Sequence, residues 1–223
     1  DLAARHWRIA LCYRTSEAEA NATAKDIMAR GGRSLAIRCD VSDPVAAKNL
    51  VAQVEQEWGR IDVLINGAGP YHRINLFDET VEGWNEMFDG NLHPIFYLAQ
   101  AVAPGMKTRK AGRIINFSMA NADQMEAQPD VTGHYIAKAG VLILTRTLAK
   151  LLAPYGITVN AISPGFIDSG SAPPQELAAM TKRIPAGYIG TIDDTVAAVR
   201  YLLSEEARYV NGANIQISGG WGI

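Results

Sequence analysis

Lys138 lies in a helical pattern, with Tyr135 three residues before it and His134 four. On an α-helix both offsets fall on one broad face, so either ring can share a site with the ammonium. A phenol or imidazole beside a cation is suited to moving a proton at a reacting oxygen. Helical spacing alone leaves both rings open as the proton-bearing group. The ordinary histidine pKa of about 6.5, lowered further by Lys138, leaves such an imidazole mostly neutral at pH 7 while still able to donate one hydrogen bond. Ser118, just past the apolar run that ends at Phe117, supplies a hydroxyl that either polarises a carbonyl or finishes a strand.

A second set of residues follows strand ends. Arg14 comes after Arg8 to Tyr13, Asp40 and Val41 after Ser34 to Cys39, and Asn66, Gly67, Ala68 and Gly69 after Asp62 to Ile65. Pro164 and Gly165 follow Ile157 to Ile162. Open α/β sheets bind ligands beyond the carboxyl ends of their strands. There a carboxylate such as Asp40 can accept from an adenine amino group, glycines let a ligand approach the backbone, and a guanidinium such as Arg14 suits a ribose phosphate. Each has a plainer reading: a turn aspartate, a tight turn, a solvated arginine. Tyr71, His72 and Arg73 lie where they could line a substrate mouth or a solvated loop, and His6, His72 and His93 read as structural or surface residues.

The elements that must position these residues alternate along the chain. Short Val- and Ile-rich runs exchange with helical patterns over Glu17 to Arg30, Pro44 to Trp58, Val81 to Met106 with a break near Pro94, Tyr135 to Leu152 and Thr191 to Ser204. The last strand is Asn214 to Ser218. This predicts an α/β fold, a single-domain Rossmann-like doubly wound parallel sheet spanning residues 1–223. The Ser169 to Tyr188 region, with its prolines around a short helix over Gln175 to Lys182, reads as a mobile excursion or a substrate lid.

Composition narrows the classes. The 223 residues are 48% hydrophobic and carry 21 Lys+Arg against 23 Asp+Glu, so no basic footprint for nucleic acid or an anionic membrane exists. No stretch approaches a membrane span, and no metal-ligand spacing occurs. Cys12 and Cys39 sit in apolar runs and read as buried thiols of a reducing cytoplasm.

The chain resembles the short-chain dehydrogenase/reductase family, and within it the bacterial 3-oxoacyl-acyl-carrier-protein reductases. The resemblance runs over nearly the whole chain. It is carried by Asp40-Val41-Ser42, Asn66-Gly67-Ala68-Gly69, Asn91, Gly112-Arg113-Ile114-Ile115-Asn116, Ala137-Lys138-Ala139-Gly140-Val141, Gly156-Ile157-Thr158-Val159-Asn160, Ser163-Pro164-Gly165 and Gly219-Gly220. It implies an oxidoreductase that moves hydride between a nicotinamide cofactor and a small-molecule or carrier-bound carbonyl. Arg14 favours NADP, with NAD possible. It further implies that Lys138 binds the ribose, that Asn91 anchors a water relay, and that the loop at Pro164 and Gly165 holds the nicotinamide carboxamide. With His134 as the acid, reduction favours acidic pH. The helix over Tyr135 to Leu152 is apolar on more than one face, which predicts a homodimer or homotetramer.

Two departures stand against that family pattern. Its opening strand and Thr-Gly-x-x-x-Gly-x-Gly turn are not in this sequence, and Asp1 to Arg5 corresponds to the tail of the helix that should follow; an upstream segment carrying them is therefore expected. The family's serine falls on Met119, beside Ser118, and its tyrosine on His134, beside Tyr135. A catalytically impaired, cofactor-binding or regulatory member is thus a second reading. A pteridine-type reductase, suggested by Tyr13-Arg14-Thr15-Ser16, is a third.

Overall fold

Parallel strand pairing dominates the computed structural model, which describes residues 2–67, 69–170 and 173–223. The chain divides into two compact units, one ending at Ile61 and one running from Asp62.

In the first unit, β1 (Arg8–Tyr13) and β2 (Arg33–Arg38) pair in parallel from Arg8↔Arg33 to Tyr13↔Arg38. Parallel neighbours need a crossover, supplied by α1 (Glu17–Ala29). α2 (Pro44–Trp58) starts at Asp43, whose carboxylate accepts from the amides of Val45 at 2.7 Å and Ala46 at 2.8 Å, with Pro44 in the first turn, where its missing N–H costs nothing.

The second unit carries a four-stranded parallel sheet. β3 (Val63–Asn66) leads to α3 (Val81–Asn91) and α4 (His93–Arg109). β4 (Gly112–Phe117), α5 (Thr132–Leu152) and β5 (Ile157–Pro164) follow, then β6 (Ile167–Asp168), α6 (Pro174–Thr181), β7 (Gly190–Thr191), α7 (Ile192–Leu203) and β8 (Asn214–Ile217). The sheet order is β3-β4-β5-β8, and β6 pairs with β7 separately. β5 lies between β4 and β8 and is buried from Ile157 to Ser163. α5 packs on β5, while Leu202 of α7 meets Ile115 and Ile162 in one apolar cluster.

Among the described residues, β1 pairs only with β2 and β3 only with β4, so each keeps one edge without a strand. Helix and strand boundaries agree with the sequence reading to within a few residues, with two corrections. The long helix breaks near Pro94 as expected, at Leu92, and proline is tolerated in the first turn of α4 as the chain re-enters the helix there. β6 and β7 were not expected, being two residues each and too short for any periodicity. Cys12 is exposed and only Cys39 is buried, since alternation along β1 puts Cys12 on its exposed face with Arg8 and Ala10. Among the described residues no helix is long and apolar enough to cross a membrane.

Candidate active site

The end of β4 and the first two turns of α5 meet at Lys138. Its Nζ donates to the carbonyl of Phe117 at 3.0 Å, and the Ser118 hydroxyl donates to the main-chain carbonyl of Lys138 at 2.8 Å. Strand and helix are thereby tied at the residue that holds the cation. Lys138 is 8% exposed, and burial pushes its pKa down from 10.5 to about 8. An ammonium can donate three hydrogen bonds, and this one makes a single bond among the described residues.

The two rings before Lys138 have different surroundings. The Tyr135 hydroxyl donates to the carbonyl of Asn121 at 2.7 Å and accepts from the amide of Glu126 at 3.1 Å. Its one proton goes to the loop after β4, so Tyr135 anchors that loop. The Ser118 hydroxyl proton is likewise given to helix α5. Met119 packs beside Ala122, Leu142 and Ala161, as an apolar side chain should.

His134 is 7% exposed and leaves Nδ1 without a partner. Burial first and the Lys138 charge second push His134 down from 6.5 to about 4, against a smaller upward pull from Pro70. The imidazole is neutral at pH 7. The Tyr71 ring stands edge-on to it at 5.0 Å between centroids.

The Pro70 carbonyl receives Asn91. Its Nδ2 donates to the carbonyls of Pro70 and Met87, both at 2.9 Å, while its buried Oδ1 has no partner among the described residues. Gly69 is required by this packing: a Cβ there would lie 2.1 Å from Asn91 Oδ1. The expected ligand approach at that glycine is therefore an approach of Asn91. Gly165 is similarly explained within the chain, because its Cβ would meet Ser218 at 2.9 Å. Pro164 closes β5, accepting from the amide of Ala120. Gly67 has only ordinary contact with the Phe117 ring, and Ala68 lies outside the described residues.

Asn66 Nδ2 donates to Asn116 Oδ1 at 2.8 Å, and Asn116 Nδ2 to Thr145 Oγ1 at 2.9 Å, so the strand end is held by a buried polar line. In the first unit, one oxygen of Asp40 accepts from the Ser42 amide at 3.0 Å and hydroxyl at 2.7 Å. Those bonds pull its pKa down, and the Arg14 charge adds a smaller effect. Val41 is half-buried.

Sequence reasoning missed Pro70, because a backbone carbonyl has no residue-type signal. It also missed Glu79, which pairs with His72 at 2.5 Å from seven positions away. The partner of His93, Asp89 at 2.8 Å, was legible as a one-turn spacing. Arg73 reaches Asp130 at 3.4 Å, and the backbones of Ile74 and Leu76 donate to residues 130 and 129, stitching the Tyr71 segment to the loop after β4.

A family profile described as Enoyl-(Acyl carrier protein) reductase matches residues 1–222. A 3-oxoacyl-[acyl-carrier-protein] reductase from Staphylococcus aureus is 34% identical over 222 residues, covering 98% of this chain and 89% of that protein. The chain belongs to the short-chain dehydrogenase/reductase family. A family relative with the same printed activity, from Synechocystis, is 32% identical over 220 residues, covering 98% and 88% of the two chains. Among solved structures, a short-chain type dehydrogenase/reductase from Mycobacterium marinum superposes with a TM-score of 0.90 at 30% identity, covering 98% of this chain and 87% of that one. A blue fluorescent protein from a metagenomic library, in complex with NADPH, gives 0.88 at 28% identity, covering 97% and 88%. The fold is thus the Rossmann-type α/β fold of these enzymes, and the protein is an oxidoreductase of the short-chain dehydrogenase/reductase family.

Proposed function

We propose that this family member is an NADP(H)-dependent reductase of carbonyl compounds, of the 3-oxoacyl-carrier-protein type. The observation that carries this is the buried Lys138 ammonium, which spends one N–H on Phe117 and keeps two for a ligand. A ribose diol and a carbonyl oxygen both offer acceptors of the required kind. The unpartnered Asn91 Oδ1 adds a buried acceptor for a ligand hydroxyl or water. These residues fit a nicotinamide dinucleotide.

In this reading Lys138, Asn66, Gly67, Ala68, Pro164 and Gly165 serve the nicotinamide half. Arg14, Asp40 and Val41 serve the adenosine half, with Arg14 favouring the additional phosphate of NADP over NAD. The cofactor supplies the hydride, and the chain supplies orientation, exclusion of water and the proton. Ile136, Ile143 and Leu151 leave apolar surface exposed on α5, which supports a homodimer or homotetramer. A cytoplasmic setting and a small-molecule or carrier-bound substrate complete the proposal.

Titrating the purified protein with NADPH and NADH, followed by nicotinamide fluorescence and then a carbonyl panel, tests it. The expected result is tighter binding of NADPH, weakened by Arg14→Ala, with turnover of 3-oxoacyl thioesters. The commitment of the Ser118 and Tyr135 protons favours the second reading, a cofactor-binding member without turnover; binding of NADPH with no oxidation of it by any carbonyl would select that reading.

A further inference from the structure

The segment after α6 holds a cation with unused donors. Arg183 places its guanidinium carbon over the Phe166 ring, 5.5 Å from the centroid, and Phe166 in turn meets Trp221 at 4.6 Å between centroids. Within about 6 Å an aromatic face attracts and fixes a guanidinium, and that contact spends none of its five N–H groups. The side chain is exposed, and among the described residues no carboxylate pairs with it. The acids of β6 and of the start of α7 are engaged elsewhere. Asp168 accepts from the Gly170 amide at 2.8 Å, and Asp194 from the Thr191 amide and hydroxyl at 2.7 and 2.9 Å.

The main chain around Arg183 is fixed. Ile184 and Pro185 fill the space over Gly219 and Gly220, where an added Cβ would lie 2.7 and 3.3 Å from them, and the Ala186 amide donates to the Gly219 carbonyl at 2.9 Å. The ring beneath the cation belongs to the edge of the sheet that carries Lys138. The Phe117 carbonyl at the end of β4 takes the Lys138 ammonium, and the nearby Ala120 amide donates at 2.9 Å to the carbonyl of Pro164, where β5 ends. Phe166 follows Pro164 and Gly165, and its carbonyl accepts from the Gly190 amide at 3.1 Å. Both cations therefore stand beyond the carboxyl ends of the paired strands β4 and β5, the edge at which open α/β sheets bind ligands.

We infer that Arg183 binds a phosphate group carried on the carbonyl substrate. This rests on the reductase reading above and names the part of a carrier-bound substrate held away from the reacting carbon. A carrier arm of the phosphopantetheine kind bears a phosphate ester at one end and the thioester at the other. A planar guanidinium meets a phosphate through two parallel N–H bonds, which the compact ammonium of Lys138 cannot do. Arg183 is then a specificity residue, acting on which carbonyl compounds bind rather than on the transfer of hydride.

The experiment compares the native protein with Arg183→Leu and Arg183→Lys. Calorimetry measures binding of phosphopantetheine, pantetheine and NADPH, and turnover compares acetoacetyl-CoA with the neutral acetoacetyl thioester of N-acetylcysteamine. Pantetheine lacks only the phosphate. The native protein should bind phosphopantetheine about 10- to 100-fold more tightly than pantetheine, the range for a hydrogen-bonded charge. Arg183→Leu should close that gap, and Arg183→Lys should recover part of it. The kcat/KM ratio of the CoA ester to the neutral ester should fall by a similar factor in Arg183→Leu, through KM. Equal binding of the two pantetheines by the native protein, or an unchanged gap in Arg183→Leu, overturns the inference. So does a loss of NADPH affinity in Arg183→Leu larger than its loss of phosphopantetheine affinity, which assigns the cation to the phosphates of the cofactor. A gap that depends on Arg183, with no reduction of either thioester, supports the phosphate site and removes the reductase reading itself.

Discussion

β5 and β1 are both short parallel strands with apolar character, yet they live differently in the fold. β5 has β4 on one side and β8 on the other and is buried over Ile157 to Ser163. β1 has β2 alone among the described residues and alternates between exposed and half-buried positions. The difference teaches that apolar sequence sets a strand's potential for burial, while the number of strand neighbours and covering helices sets how much of it is realised.

The most severe way to test that contrast is to hollow out both strands. Ile162→Ala on β5 should cost about 2–5 kcal/mol, as truncations in a packed core do. Leu11→Ala on half-buried β1 should cost clearly less in the same urea unfolding series, and equal costs would break the comparison. Polar partners give the next contrast. Asn116, fully buried on β4, satisfies both Asn66 and Thr145, so Asn116→Ala strands two groups and should cost about 1–3 kcal/mol. Ser34 on β2 makes one part-buried bond to the carbonyl of Ile9, and Ser34→Ala should cost about 1 kcal/mol or less.

Tyr135→Phe sharpens the picture on the helix that covers β5. It should lose roughly 1 kcal/mol through the loop contacts at Asn121 and Glu126 while preserving the pH profile of turnover. A changed profile would return Tyr135 to the chemistry. The smallest expected effect is in stability against pH. His134 is depressed from 6.5 to about 4 in the folded protein, so its contribution is complete above 6.5 and is lost as the pH falls toward 4. A stability curve for His134→Gln should be flatter than the native one across that window.

Much of this was legible beforehand, and the reasons are local. The βαβ pattern of the first unit followed from Val, Ile and Ala runs punctuated by Gly31, Gly32 and Gly59. Lys138 and its two candidate rings followed from helical spacing. What spacing could not decide was how the two rings differ, since that depended on the Asn121 carbonyl that accepts from Tyr135 and on the burial that leaves His134 Nδ1 without a partner among the described residues. Gly69 and Gly165 carried a correct signal of close approach but not the identity of what approached, which was Asn91 and Ser218. Cys12 was misplaced because an apolar run does not say how many neighbours its strand will have.

The place of β5 between β4 and β8 also has a consequence in time. Its register with β4 can form once residues up to Pro164 have been made, but Ala161 to Pro164 must wait for Asn214 to Ile217 before their other side is paired. During synthesis the most deeply buried strand of the sheet therefore passes through an interval with one bare edge, about fifty residues of elongation long, or a few seconds at about 5–20 residues per second. A nascent chain stalled in that interval would present an adhesive edge to its neighbours, and the yield of soluble protein should depend on how quickly translation carries it through.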